Sequence, residues 1–286
     1  MNPRHIRIHT ENADFQQLEA LRRNREKRRR MGAFLAEGVR PINQLLAAGW
    51  PLQALLYADG RPLSDWARKI LQTAPAATHF SIDSNLFARL SGKSEPSELI
   101  ALAGIPPDDL GRIAPRPDLL VVVFDRPASP GNLGTLIRSC DGLGVHGLVL
   151  AGHSVDLYDP ETVSATTGSL FAVPTVRLDS SRALEPWLEQ LRDTLGSLQV
   201  VGTDEAGTAR IDQHDWRQPT VLVVGNETWG MSAHFHELCN TIVRIPIGGT
   251  VSSLNVACAS SIVLYEIARQ RAFQAMQPAE SEPQSA

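Results

Sequence analysis

The sequence predicts an α/β protein in two parts: a small α/β unit up to about residue 104, and a larger unit built on a parallel β-sheet. Short apolar runs alternate with segments of helical periodicity through the larger part, which is typical of a parallel sheet with helices on both faces. A segment with four prolines, residues 105–117, separates the parts as a semi-rigid linker. A length of 286 residues allows two domains.

The composition is that of a globular protein with a locally basic N-terminus. The longest uninterrupted apolar run, residues 119–124, is far too short to span a bilayer, and the N-terminal segment lacks the apolar core of a secretory signal. The net charge is −4, yet residues 1–40 contain ten Lys/Arg and five Asp/Glu, so the remaining chain is acidic. This asymmetry indicates a localised contact with a polyanion.

The three cysteines, Cys140, Cys239 and Cys258, are far apart and show no metal-ligand spacing. We therefore expect free thiols in a reducing cytoplasm, and no metal site.

The first region is predicted to form a helix over residues 12–30, a strand and turn over 34–38, a helix over 41–48, a strand over 52–58, a helix over 64–72, a strand near 80–82, a helix over 84–90 and a strand over 98–103. Phe15, Leu18 and Leu21 form the apolar stripe of the first helix. Ser64 is predicted to cap the third helix.

The second half of the first helix carries seven positive charges in nine residues, 22–30. A solvated helix face is the ordinary explanation of such a run. The density here exceeds what solubility requires, and arginine binds phosphate well through its planar fork. The run, with one arginine beyond it, is the predicted RNA-binding set: Arg22, Arg23, Arg25, Lys27, Arg28, Arg29, Arg30 and Arg40.

The second region, residues 118–274, is predicted to form strands over 119–124, 147–150, 173–176, 199–202 and 221–224, with a last short strand from 243 to Ile245-Pro246. Helices are expected over 132–143, 159–168, 182–194 and 232–239. A long last helix is expected to bury Val256, Ala259, Ile262, Val263 and Ile267. The polar tail, residues 275–286, is predicted to be disordered.

Three polar loops follow strands of this predicted sheet, at the edge where open α/β sheets bind ligands. The first leads to Asn132, predicted as a helix cap, and to Arg138, which lies among apolar residues and would need a ligand or a structural ion pair as partner. The second, residues 225–232, is rich in glycine, which indicates either close approach of a ligand or a plain tight turn.

The third loop, residues 248–253, leads to Ser253 and Asn255 in the first turn of the last helix. Free N–H groups gather there and bind ligands, although simple capping is the ordinary role of such residues. No lysine-bearing phosphate loop and no G-x-G-x-x-G fingerprint is present, which disfavours a nucleotide-cofactor oxidoreductase.

In this order and spacing, the three loops resemble the motifs of the SpoU/TrmH family of RNA ribose 2′-O-methyltransferases, within the knotted SPOUT superfamily. The resemblance covers residues 119–271 and rests on Asn132-x-Gly134-x-x-x-Arg138, on Gly225-Asn226-Glu227-x-x-Gly230-Met231-Ser232, and on Ile245-Pro246 followed by Ser253-Leu254-Asn255-Val256. Thr228 and Ile247 depart from the glycine and methionine usual in the family. The first region is similar, more loosely, to the family's ribosomal-protein-like (L30e-like) substrate-binding domain.

The resemblance implies a C-terminal trefoil knot, a homodimer and S-adenosylmethionine as the methyl donor. It implies a catalytic set of Asn132, Arg138, Glu227, Ser253 and Asn255. It also implies a cofactor-binding set of Gly225, Asn226, Gly230, Ile245, Ile247 and Leu254. Some accounts of the family make the arginine the general base. We hypothesise instead that Arg138 binds the adjacent phosphate and stabilises the developing alkoxide, because a guanidinium stays protonated in proteins and is therefore a poor proton acceptor.

The expected function is therefore S-adenosylmethionine-dependent methylation of a ribose 2′-hydroxyl in structured RNA. Ribosomal RNA is favoured over transfer RNA, because a separate N-terminal domain adds surface for reading a folded RNA by shape. The alternative is a non-catalytic RNA-binding protein of the same fold.

Overall fold

The computed structural model describes residues 3–276, with side chains up to residue 272. Residues 277–286, which hold most of the tail predicted to be disordered, lie outside the described residues. The chain forms two compact units. Among the described residues, the first contains residues 3–108, 129–138 and 155–174, and the second contains residues 109–128, 139–154 and 175–276. The division at residues 105–117 and the trefoil knot stay predictions.

The N-terminal part of the first unit contains β1 Arg4–Ile8, α1 Ala13–Arg23, α2 Arg25–Met31, β2 Ala33–Glu37, α3 Val39–Ala47, β3 Leu52–Ala58, α4 Asp65–Thr73, β4 Thr78–Ile82, α5 Ser84–Ser91 and β5 Ile100–Gly104. Its sheet has the order β1-β4-β3-β5-β2, in which β5 is antiparallel to both neighbours and the other pairs are parallel. Phe15, Leu18 and Leu21 are buried in its core, as the apolar stripe predicted. Ser64 caps α4 by accepting a hydrogen bond from the Ala67 N–H.

The single helix predicted over residues 12–30 is wrong, because the chain breaks at Asn24. Asn24 is extended (φ −132°, ψ 113°), and its N–H donates to the Ala20 carbonyl at the end of α1. Its side-chain oxygen accepts from the Lys27 N–H at the start of α2. One asparagine therefore ends one helix and caps the next. Strand β1 was not predicted, because its charged residues hide the apolar alternation.

The remaining elements are β6 Leu120–Asp125, α6 Pro130–Gly142, β7 Gly147–Ala151, α7 Pro160–Thr166, β8 Thr175–Leu178, α8 Glu185–Leu195, β9 Gln199–Thr203, β10 Ala209–Arg210, β11 Thr220–Val224, α9 Ala233–Leu238, β12 Thr241–Arg244 and α10 Val256–Met276. The second unit's sheet has the order β10-β12-β9-β11-β6-β7-β8, and every pair in it is parallel. The predicted parallel sheet is confirmed. All residues of β6, β7 and β11 are buried, as expected for strands covered on both faces.

Two predicted details of this region are wrong. Helix α6 begins at Pro130, and its cap is Ser129 rather than Asn132: the Ser129 Oγ accepts from the Asn132 N–H at 3.3 Å. Proline suits the first helical position because it needs no N–H partner there. In α10, Val263 and Ile267 are buried as predicted, but Ile262 is 40% exposed, and Ala257 and Leu264 are buried in addition. The predicted apolar face is therefore confirmed at two positions and wrong at Ile262.

Candidate active site

The loops after β6 and β11 lie side by side, because these strands are neighbours and Phe124 pairs with Val224 at their carboxyl ends. The chain runs from β6 outward to β8 and then crosses to β9, on the far side of β11. Strand order thus reverses at β6 and β11, which is the switch point where open α/β sheets bind ligands. The loop after β12 leaves the same edge, separated from β11 by β9.

Asp125, the last residue of β6, is the anchor between the two adjacent loops. Its side chain is 2% exposed, and its Oδ2 accepts a hydrogen bond of 2.7 Å from the Ser232 N–H. Both carboxylate oxygens also accept from the Arg126 guanidinium, at 2.9 Å each. This forked, charge-assisted pair holds the arginine against the strand end, and it raises the pKa of Arg126 above its ordinary value.

Arg126 adopts a left-handed backbone conformation, with φ of +50°. Such a conformation costs a non-glycine residue of order 1 kcal/mol or more and persists only where the surroundings enforce it. Here the Arg126 carbonyl accepts a 2.6 Å hydrogen bond from the Asn226 side chain, and its Nη2 donates to the Gly230 carbonyl at 3.2 Å. The strained residue is therefore tied by both its backbone and its side chain to the loop after β11.

Residues 225–232 form a tight turn closed on itself by an antiparallel bridge between Asn226 and Gly230. The Asn226 Oδ1 accepts from the Thr228 and Trp229 N–H groups, at 2.8 and 3.0 Å. A Cβ at Gly225 would lie 2.4 Å from the Gly230 carbonyl carbon, so the turn's own packing demands glycine there. Of the two interpretations open from the sequence, the tight turn is what the structure shows.

Glu227, at the tip of this turn, reaches back to the loop after β6. Its Oε2 accepts a 3.0 Å hydrogen bond from the Ala128 N–H. Glu227 is half-buried and lies between Asn226 and Gly230, the two residues whose bridge closes the turn. Glu227 therefore connects the second motif with the segment that leads into the first.

The third loop is exposed from Pro246 to Asn255. Asn255 caps α10: its Oδ1 accepts from the N–H groups of Ala257 and Cys258, at 3.0 and 3.3 Å. Ser253 lies two residues before this cap, outside the first turn in which the sequence placed it. The ordinary capping role thus accounts for Asn255, whereas Ser253 remains an exposed hydroxyl next to the helix start.

Asn132 and Arg138 lie on the part of α6 that groups with the first unit, whereas Glu227, Ser253 and Asn255 lie in the second. Arg138 is exposed and has no ion-pair partner among residues 3–276, so the structural ion pair considered from the sequence is not observed.

Helix packing explains the glycine at position 134, because a Cβ there would lie 2.4 Å from the Ala165 Cβ of α7. The glycine in this motif thus lets two helices approach closely.

The third loop also offers groups suited to an adenosine-containing cofactor. Ile247 and Leu254 are 36% and 38% exposed, which leaves two apolar side chains at the surface of this loop. Apolar walls with a few polar main-chain groups are typical of small-molecule sites.

Within residues 3–276 no group of three or more His, Cys, Asp or Glu is arranged to hold a metal ion. Among the same residues, none of the helices has the length and apolarity needed to cross a membrane.

Comparison with known proteins decides the family. A sequence model of the SpoU rRNA Methylase family matches residues 119–265, and one of the SpoU L30e-like domain matches residues 12–101. A 23S rRNA (uridine(2479)-2′-O)-methyltransferase of Streptomyces viridochromogenes is 47% identical over 266 residues, which are 93% of this chain and 92% of that protein. The chain belongs to the SpoU rRNA methylase family.

Solved structures agree with this assignment. The SpoU methyltransferase AviRb of Streptomyces viridochromogenes, in complex with AdoMet, has a TM-score of 0.87 and 48% identity, and the match covers 91% of this chain and 98% of that one. An AdoMet-bound rRNA methyltransferase of Sinorhizobium meliloti has a TM-score of 0.82 and 28% identity, covering 93% and 98% of the two chains. This SpoU methylase uses S-adenosylmethionine to methylate a ribose 2′-hydroxyl of RNA.

The basic residues of the SpoU methylase's first unit differ in their burial. Arg28 is 3% exposed: its Nη2 lies 2.6 Å from the Asp156 carboxylate, and its Nη1 donates to the Leu21 and Arg22 carbonyls. Its predicted contact with RNA is therefore corrected, because its donors are used internally. The remaining predicted cations are half-buried or exposed: Arg22, Arg23, Arg25, Lys27, Arg29, Arg30 and Arg40.

Sequence reasoning missed Asp125 and Arg126 as parts of this SpoU methylase site. A usable signal existed for Asp125, since a carboxylate that ends a buried strand requires partners. No signal marked Arg126, whose left-handed backbone follows from contacts with residues about a hundred positions away.

Proposed function

We propose that this SpoU methylase modifies the 2′-hydroxyl of a uridine in 23S ribosomal RNA. The observation that carries the proposal is the near-full-length similarity to the Streptomyces viridochromogenes enzyme, whose substrate is a uridine of 23S rRNA. Both the L30e-like and the methylase regions lie within that similarity. We place the reaction in the cytoplasm, where ribosomal RNA is found and where free cysteines stay reduced.

The two regions have separate tasks in this proposal. Residues 1–104 bind RNA through the exposed and half-buried cations of α1 and α2, and residues 118–274 carry the methyl transfer. The charge distribution supports this division, because the positive charge is concentrated in the first 40 residues of an otherwise acidic chain.

Bound S-adenosylmethionine would supply a methyl group already activated on a sulfonium sulfur. Ile247 and Leu254 would flank its adenine, and the backbone near Gly225 and Ile245 would complete the pocket, with Asn226 and Gly230 shaping the turn that presents it. The rigid turn of residues 225–232 supports this assignment, because a pre-formed loop costs little ordering on binding.

The chain's own residues would then position the ribose. Arg138, an exposed cation without an ion-pair partner among the described residues, would bind the adjacent phosphate and stabilise the developing alkoxide. Asn132 would hold Arg138, and Ser253 would donate or accept at the ribose. The Oδ1 of Asn255 serves the helix cap, so its Nδ2 is the group assigned to the ribose. Glu227 would keep the loop after β6 in place through Ala128.

The active form in this proposal is a homodimer that contacts through α10. Cys258, Ile262, Tyr265 and Arg269 are all exposed and recur at alternating spacings of four and three, which is one stripe along the helix. Tyr265 is 62% exposed although the opposite face of α10 is buried. A helix that is apolar on both faces is typical of one covered on both sides, and a second copy supplies the second cover.

The test measures methyl transfer from labelled S-adenosylmethionine to total RNA of a strain lacking the protein, followed by nucleoside mass spectrometry. We expect 2′-O-methyluridine in the 23S fraction, and no transfer with Arg138→Ala or with RNA from the parent strain. Label in transfer RNA, or a methylated base in place of ribose, would overturn the proposal. Failure both to transfer methyl and to bind cofactor would favour the non-catalytic RNA-binding alternative.

A further inference from the structure

A groove of about 410 Å³ lies between α1 and α2 in the first unit. It exists because Asn24 breaks the basic segment into two helices, so that the start of α1 and the end of α2 face a common space. Its volume falls within the roughly 300–1,000 Å³ of small-molecule sites. The groove is open to solvent, and all the residues that line it belong to these two helices.

The groove collects three kinds of side chain. Lys27 and Arg30 supply positive charge, Gln16 and Gln17 supply amides, and Met31 with Ala20 supplies an apolar wall. No acidic residue lines the groove. Met31 is 37% exposed, which leaves a large polarisable side chain facing solvent in a groove flanked by cations.

The two cations in the groove differ from three cations nearby that have protein partners. Arg23 pairs with Glu19 at 3.0 Å, Arg28 is buried against Asp156, and Arg22 donates to the Arg89 carbonyl. Lys27 and Arg30 form no ion pair within residues 3–276. Two cations that form no ion pair among the described residues therefore lie together at the groove.

We propose that this groove binds one unpaired nucleotide of the RNA substrate. Lys27 and Arg30 hold its phosphates, Met31 contacts the face of its base, and the amides of Gln16 and Gln17 read the base edge. Unpaired bases are the part of a folded RNA that proteins read by stacking and by hydrogen bonds to base edges, whereas duplex RNA is recognised mainly by shape. The inference rests on the proposed function, because it takes the ligand to be RNA.

The test uses fluorescence anisotropy with end-labelled single strands of oligo-U, oligo-A and oligo-C, and with an RNA duplex of equal length, on the full chain without cofactor. The double variant Lys27→Ala/Arg30→Ala is compared with Arg68→Ala/Arg217→Ala. The control removes the same charge from two exposed arginines that pair with Asp65 and Asp215. Circular dichroism checks that both variants are folded.

We expect single strands to bind the groove variant about tenfold more weakly, with the control near wild type. The slope of log K against log salt should fall by about 1.4, since each single-strand phosphate contact contributes about 0.7. Gln17→Ala should reduce the preference among the three sequences. Equal weakening in the control, or duplex bound as well as single strand with no change in slope, would overturn the proposal.

The outcome is separable from that of the methyl-transfer assay, because anisotropy needs neither cofactor nor turnover. In that assay the groove variant should show a raised KM for RNA with kcat retained. A wild-type protein that binds single strands through the groove but transfers no methyl group would refute the proposed function alone.

Discussion

The buried carboxylate of Asp125 accepts a 2.7 Å hydrogen bond from the Ser232 N–H, and so joins the end of β6 to the turn that follows β11. The same carboxylate also holds Arg126, whose Nη2 donates a hydrogen bond to the Gly230 carbonyl. The position of the turn, and of Glu227 at its tip, thus depends on one charge that lies outside all three motifs of the family.

Asp125→Asn should loosen the turn and weaken cofactor binding by about five- to tenfold. Stability should fall by about 1–2 kcal/mol, since Arg126 is partly exposed and water screens the lost pair. Isothermal titration calorimetry with S-adenosylmethionine and urea unfolding measure the two effects. Asp118→Asn, which removes a carboxylate from an exposed pair with Arg116, is the control. Unchanged cofactor affinity in Asp125→Asn would contradict the anchoring role.

Arg138→Ala should lower kcat by about 10²-fold or more, and Arg138→Lys should lower it by at least about tenfold. Lysine keeps the charge but not the planar fork that grips a phosphate at two points. Single-turnover methyl transfer measures both. Arg217→Lys, at an exposed arginine paired with Asp215, should leave kcat unchanged. Near-full turnover in Arg138→Lys would show that the forked contact is not used.

Asn255 has an observed cap role and a proposed ribose contact, and two substitutions separate them. Asn255→Ser keeps a capping oxygen and should retain stability, whereas Asn255→Ala should lose about 1 kcal/mol. Both should lower turnover, because neither supplies the amide Nδ2.

Asn12→Ala removes the equivalent cap of α1, and it should cost similar stability without lowering turnover. Thermal unfolding and methyl transfer are measured on the three variants together. Full activity in Asn255→Ser would restrict Asn255 to capping.

Ile262→Glu or Tyr265→Glu should convert the proposed dimer into a monomer, because a carboxylate at the centre of an apolar contact has no partner. Light scattering after size exclusion gives the mass directly. Val39→Glu, at an apolar residue of the first unit that is 51% exposed, should not change the mass. A wild-type mass equal to the 31.2 kDa of one chain would refute the dimer.

The free energy of unfolding should fall with acidification below pH about 6.5, the ordinary pKa of histidine. Burial lowers the pKa of His146, Arg116 and Arg271 lower it further, and Asp118 opposes them. The neutral ring is needed because its Nδ1 accepts a 2.9 Å hydrogen bond from the Leu120 N–H.

A histidine with a depressed folded-state pKa stabilises the fold fully above the unfolded pKa. That stability is lost as the pH falls toward the folded value, because the unfolded chain binds the proton more readily. His146→Asn keeps an acceptor but does not titrate, so urea unfolding from pH 7.5 to 5.5 should show a weaker pH dependence. His153→Asn, at an exposed histidine, should leave the dependence unchanged.

Several elements could be predicted from sequence because their information is local. The apolar run of β6, the Ser64 cap of α4 and the alternation that builds the parallel sheet are all confirmed. The order and spacing of the three motifs were sufficient to identify the SpoU family. Predictions failed where two local choices compete, as at Asn24, which suits a helix interior poorly and a cap well, and at Ser129, which precedes Asn132 as the cap.

The sequence by itself determined most of the strands and helices, where the positive charge lies and which family motifs the chain carries, because these depend on residues close together in the chain. Only the tertiary structure decided that Arg28 turns inward to Asp156, that Arg126 is held left-handed, and that Asp125 joins two loops. Those outcomes depend on contacts across about a hundred residues or more. Burial then fixes which partner each charge takes, because an unpaired charge in the interior costs more than any local preference supplies.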